Sequence, residues 1–125
     1  MGMLDTLMGS ASEISPTHFD PRFAELLAEG EQVERVFLLF RDFFVFTDRR
    51  LVLVDRQGVR GKKIEYHSIP YRSVTRFSVE SAGNWDLDAE LRIWVSGTRA
   101  PIRKRFNKKL NVYQVQSVLA GYVLG

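Results

Sequence analysis

The 125-residue sequence contains no cysteine. That excludes a disulfide framework and any thiolate metal site, and it fits a reducing compartment, so the cytoplasm is the expected location. No stretch approaches the ~18 consecutive apolar residues of a membrane-spanning helix, and the N-terminus M-G-M-L-D-T-L-M-G-S-A-S-E lacks the basic start of a secretory signal. Histidine is scarce: His18 and His67 are far apart, and neither falls into a metal-ligand or general-base constellation. Glycine-rich phosphate loops and nucleotide fingerprints are absent. No catalytic machinery, cofactor site or metal site is expected.

What is present is charge, unevenly spread. Residues 1–30 carry a net charge of −4, residues 31–98 a net +1 and residues 99–125 a net +6, which gives +3 for the chain. The basic end suits an anionic partner, whether phosphate, acidic lipid or an acidic protein surface, and equally a solvated face.

Residues 1–30 read as an N-terminal helical extension and residues 31–125 as one domain. Leu4, Leu7 and Met8 have helical spacing. D-P-R-F-A-E-L-L-A-E-G then places Asp20 as N-cap, Pro21 in the first turn, Phe23, Leu26 and Leu27 on one face and Gly30 as the stop. From there the period changes to two. Seven runs rich in β-branched and aromatic residues follow, V-E-R-V-F-L-L-F, F-F-V-F-T, L-V-L-V, K-I-E-Y-H-S-I, S-V-T-R-F-S-V, A-E-L-R-I-W-V and I-R-K-R-F. Their short links predict an antiparallel meander, because parallel crossovers need a dozen or more residues. Helical spacing returns at the end, with Asn111 as N-cap and Val115, Val118, Leu119, Tyr122 and Val123 on one stripe.

The runs Val36–Phe40, Phe43–Phe46 and Leu51–Val54 are apolar at consecutive positions, whereas a strand with one wet face alternates. Something covers the second face. The candidates are the N-terminal helices or another copy of the chain, and the small amount of N-terminal helix favours another copy.

The blocks R-D-F-F-V-F-T-D-R-R-L-V-L-V-D, G-V-R-G-K-K-I-E-Y-H-S-I-P-Y and F-S-V-E-S-A-G-N-W-D-L-D-A-E-L-R-I-W-V-S-G resemble the bacterial pleckstrin-homology domain family, in order from Gln32 to Leu124. The resemblance implies a mainly β, barrel-like fold of two nearly orthogonal antiparallel sheets, seven strands in all, closed by a C-terminal helix. It also implies ring-like homo-oligomers and no enzymatic activity. One departure matters: phosphoinositide-binding relatives carry basic residues around a roomy loop between the first two strands, and here that loop is only Arg41-Asp42, which argues against the usual lipid site.

Three groups of residues are candidates for function. Thr47-Asp48-Arg49-Arg50 falls between two strands. It reads as a structural turn, in which Thr and Asp bond nearby amides and the arginines pair with Asp48, Asp55 or a carbonyl; a guanidinium pair gripping a phosphate or carboxylate is the minority reading. Arg103, Lys104, Arg105, Lys108 and Lys109 are a candidate basic ledge for a partner or anionic lipid. Without exposed aromatics among them, nucleic acid is not expected. Trp94, with Arg92, is the candidate oligomer interface: Leu91, Ile93 and Val95 alternate as the core face and leave the indole on the other side. Asp86, Asp88 and Glu90 share a strand face and are read as solvated acids rather than a calcium site. His67 is read as a half-buried packing residue.

The sequence therefore predicts a non-catalytic binding or scaffolding module that self-assembles into a ring and presents a surface to an unknown protein partner. A peripheral membrane adaptor docking through the basic ledge is the alternative.

Overall fold

The structure, a computed structural model, describes residues 13–39, 42–58, 62–81, 89–106 and 112–125. The chain divides into two compact units, Ser12–Pro70 and a second containing Tyr71–Gly125. Each has its own antiparallel sheet, so the protein is mainly β with one C-terminal helix.

In the first unit, β1 (Glu13–Ile14), β2 (Val33–Leu39), β3 (Asp42–Thr47), β4 (Arg50–Gln57) and β5 (Lys63–Pro70) lie in sequential order. The four long strands are the first four apolar runs of the sequence. β1 is an addition to the seven predicted strands, and among the described residues it makes eight. It pairs Glu13 with Phe37 and Ile14 with Val36, and the Glu13 carboxylate accepts a hydrogen bond at 2.8 Å from Arg35 Nε.

The segment expected as an α-helix after Asp20 is a 3-10 helix, Pro21–Leu26. The expected cap holds: Asp20 Oδ1 accepts from the Arg22 N–H at 2.9 Å, and Pro21 opens the first turn, where its missing N–H costs nothing. A second short 3-10 helix, Pro16–His18, precedes it. Gly30, at φ 82°, turns the chain back toward β2 in a conformation that side chains disfavour.

These N-terminal residues answer why β2–β4 are apolar on both faces. Val36, Val45, Val52 and Val54 form one face, and Phe23 is buried on it with Ile14, Phe19, Leu27, Val33 and Phe43 around it. The rings of Phe19 and Phe43 meet edge to face at 5.0 Å, as those of Phe19 and Phe23 do at 5.3 Å. The alternate residues Phe37, Phe44, Phe46, Leu51 and Leu53 are buried on the other face. The chain's own N-terminal segment packs on the second face, the candidate that the sequence had favoured less than another copy. Burying Phe23 alone is worth roughly 2–3 kcal/mol.

β5 is the last strand of this sheet, and apart from Ile69 its residues are exposed. His67, expected to be half-buried, is among the exposed ones. The strand carries Lys63, Glu65 and a closing Pro70, residues that discourage further strand pairing at an edge.

In the second unit, a 3-10 turn (Tyr71–Ser73) leads into β6 (Val74–Ser81), β7 (Ala89–Val95) and β8 (Ile102–Phe106), paired in that order, and the chain ends in helix α1 (Val112–Leu124). Leu91, Ile93 and Phe106 on the sheet and Val112, Val115 and Leu119 on the helix are buried. Tyr122 stacks on Tyr71 with ring centroids 4.6 Å apart. The predicted apolar stripe is thus the buried side of α1. The expected N-cap Asn111 lies outside the described residues.

Candidate functional site

The first candidate group sits where β3 turns into β4. Thr47 is fully buried, and its hydroxyl oxygen accepts from the N–H groups of Arg49 and Arg50 at 3.0 and 2.9 Å, which closes the turn. Asp48 Oδ1 accepts from the Gln32 N–H at 2.9 Å, and the Asp48 N–H donates to the Gln32 carbonyl at 3.0 Å. The two arginines then part company. Arg49 is exposed, while Arg50 grips Glu31 with Nε to Oε2 at 2.8 Å and Nη2 to Oε1 at 2.9 Å. Arg50 also donates to the Leu26 carbonyl at 2.6 Å and to Ser68 Oγ at 2.8 Å.

Glu31 is the residue that sequence reasoning missed. It is buried, and besides Arg50 it takes hydrogen bonds from the Thr47 hydroxyl at 2.6 Å and the Ala28 N–H at 2.8 Å. Burial by itself raises its pKa. The bonds from Arg50, Thr47 and Ala28 and the Arg50 charge outweigh that and hold it at about 2. The node ties the end of the 3-10 helix, the β3–β4 turn and β5 together, and both polar groups of the pair are consumed internally.

The second group is the basic run of β8. Arg103 and Arg105 are exposed, and strand alternation puts Lys104 on the other face with buried Phe106. Arg103 Nη1 donates to Glu90 Oε1 at 3.1 Å, and Arg105 lies directly opposite Glu90 in the register. Lys108 and Lys109 lie outside the described residues, as do Asp86 and Asp88.

The third group lies on the wet face of the β6–β7–β8 sheet. The register sets Arg76 opposite Trp94, Ser78 opposite Arg92 and Glu80 opposite Glu90, with Arg92 facing Arg103 across the other seam. The arginine of β7 bridges two acids: Arg92 Nε donates to Glu90 Oε1 at 2.8 Å, and its Nη2 donates to Glu80. Glu90 is therefore shared by Arg92 and Arg103. Trp94 keeps part of its surface exposed, and the Arg76 guanidinium lies 4.3 Å from its ring centroid in a cation–π contact. Arg76 was not singled out from sequence, because a register shift between Val74 and Arg76 decides which β6 residue reaches the indole.

Two antiparallel sheets and a C-terminal helix are the architecture of a pleckstrin-homology-like module. The family model described as "Bacterial PH domain" matches residues 2–123, and the chain belongs to that family. It is 53% identical over 121 residues to the uncharacterized protein YjqA of Bacillus subtilis (strain 168), covering 96% of this chain and 97% of that protein. Among solved structures, it is similar to the pleckstrin homology domain from Shewanella amazonensis SB2B, with a TM-score of 0.88 and 44% identity over 99% of this chain and 100% of that one. A DUF1696 family protein with a pleckstrin-homology domain from Shewanella loihica PV-4 matches at a TM-score of 0.77 and 39% identity, over 90% of this chain and 96% of that one.

Proposed function

We propose that this chain is a non-catalytic binding and scaffolding module that self-associates head to tail into a closed ring and presents the repeated surface to a protein partner. The observation that carries this reading is the partly exposed Trp94, clamped by Arg76 on an otherwise charged sheet face. Tryptophan and arginine are the residues most enriched where interface energy concentrates, and a stacked pair is pre-ordered, so less side-chain entropy is lost on contact.

Charge supports a heterologous contact over a two-fold one. Among the described residues, the wet sheet face carries four arginines, Arg76, Arg92, Arg103 and Arg105, against two acids, Glu80 and Glu90, so the same face of a second copy would meet it with an excess of positive charge. Residues 1–30 carry the net −4, with Glu25 and Glu29 exposed. Basic surface on one copy meeting acidic surface on the next is a head-to-tail contact, which closes into a ring when the rotation allows. Docking on anionic lipid draws less support, because Arg103 is bonded to Glu90 and Lys104 is on the Phe106 face.

Light scattering tests the reading. Native protein at roughly 50 μM, above the dissociation constants of stable assemblies, should show several times the mass of one chain. Trp94→Glu should lower that mass while circular dichroism keeps its β-rich shape. A native monomer at that concentration overturns the ring.

A further inference from the structure

On the face of the first sheet covered by the N-terminal segment, the described residues leave a gap in the cover. A pocket of about 160 Å³ opens there, lined by Phe19, Phe23, Phe43, Val54 and Tyr66. A dry apolar cavity of about 150 Å³ holds a benzene ring. This one therefore has room for a single ring or a branched alkyl group, and its mouth is bounded by Ile64 and Tyr66, which are 40% and 39% exposed.

The rim decides what such a group should carry. Asp20 and Arg22 neutralise each other, with Nη2 to Oδ2 at 3.3 Å and Nε to Oδ1 at 3.4 Å, and the Arg22 side chain and backbone N–H hold the Asp20 carboxyl below its ordinary range. The Arg56 side chain has no hydrogen-bonded acid among the described residues, although its charge reaches Asp20 through space and helps hold that carboxyl low. Its guanidinium lies 5.4 Å from the Phe43 centroid, and among the described residues it makes no ion pair or side-chain hydrogen bond. His18 and the Tyr66 hydroxyl also line the pocket without a side-chain hydrogen bond among the described residues. An aromatic-walled pocket beside an acid suggests a cage for a cationic ligand, but here the Phe43 face is already taken by Arg56 and the acid by Arg22. What the Arg56 guanidinium lacks, among the described residues, is a hydrogen-bonded anion.

We propose that this pocket binds a small monocarboxylate with one benzene-sized apolar group, the apolar body seated among Phe19, Phe23, Phe43 and Tyr66 and the carboxylate held by Arg56. The burial supplies affinity. The single unpaired guanidinium, whose planar fork matches a carboxylate, supplies the choice of acid over neutral analogue. The site belongs to the first unit and shares no residue with the Trp94 face, so it stands or falls independently of self-association.

The test is a titration of the native protein with 3-phenylpropionate, its neutral amide 3-phenylpropanamide, and phenethylammonium, followed by backbone amide NMR shifts. A ligand of this size in a matching pocket should bind with a dissociation constant on the order of 1 mM or tighter. Shifts should centre on His18, Phe43, Arg56 and Tyr66, with the amide at least about tenfold weaker, the share of one charge-assisted contact. Arg56 is exposed, so Arg56→Gln should fold normally and erase the preference for the acid. Ile64→Trp should fill the mouth and block both acid and amide. The proposal is overturned if no saturable shift appears up to about 20 mM, far above that expected constant. It is equally overturned by equal or tighter binding of the amide or the ammonium, or by both variants binding as the native protein does.

Discussion

At the scale of single residues, the pair of adjacent arginines shows how position outweighs identity. Arg49 and Arg50 are neighbours in sequence, yet only Arg50 enters the buried node with Glu31, Thr47 and the Leu26 carbonyl. Removing one partner of a buried, doubly hydrogen-bonded pair strands the other charge, so Arg50→Ala should cost roughly 3 kcal/mol, whereas Arg49→Ala on the surface should stay within about 0.5 kcal/mol. The node also sets an acid limit. The Glu31 carboxyl is lower in the folded protein, at about 2, than its ordinary value of 4.5. Its contribution to stability is therefore full above 4.5 and is lost as the pH falls from there through about 2. Thermal melts between pH 6 and pH 2, a range about that of the Glu31 transition, should fall steeply for the native chain and more gently for Glu31→Gln, which starts lower. Parallel curves for the two proteins would show that Glu31 does not govern the acid transition.

At the scale of elements, the same residues explain what could be read in the sequence. β2 to β8 were legible because each is a run of β-branched and aromatic residues bounded by turn chemistry, and α1 because Val115 and Leu119 fall on one helical stripe. β1 was not, since two residues, Glu13 and Ile14, make no period and acquire strand geometry only by pairing with Phe37 and Val36. Asp20 and Pro21 signal a helix start without distinguishing a 3-10 from an α-helix, and here the segment ends after Leu26. Glu31 was not singled out because its partner lies 19 residues downstream. Of the candidate sites, the Thr47-Asp48 turn was readable from local bonding rules, while the pocket beside Arg56 was not, since its walls come from segments brought together only by the fold. Helix α1 is the element whose role can be tested most simply. Leu119 is fully buried in the second unit, so Leu119→Asp places an unpaired carboxylate in the core at a cost of several kcal/mol, comparable with the stability of a whole domain. The expected outcome is loss of the cooperative melt; a melt at the native temperature would remove α1 from the core.

At the scale of the whole molecule, the question is whether the net +6 of residues 99–125 serves a membrane or a neighbouring copy of the chain. A basic residue near an anionic bilayer contributes about 1 kcal/mol, so a ledge of Arg103, Lys104, Arg105, Lys108 and Lys109 has an upper bound of about 5 kcal/mol per chain. Two of those charges are discounted by Glu90, which bonds Arg103 and faces Arg105 across the sheet, and Lys104 is on the side of Phe106. The charges that remain, about 2 kcal/mol, give an attraction of only tens of millimolar for one chain. A ring would multiply it by presenting several ledges at once, so the assembled protein is the form to measure. Sedimentation with vesicles of phosphatidylcholine and about 30% phosphatidylserine, at about 0.15 M salt where the screening length is near 8 Å, is expected to leave the native protein in the supernatant. Replacing all five basic residues by alanine should then change the supernatant fraction little and leave the light-scattering mass as the informative readout. Cosedimentation of the native protein that disappears with the five-alanine variant, while both keep the same mass, would make lipid docking the function and self-association only its means of gaining avidity.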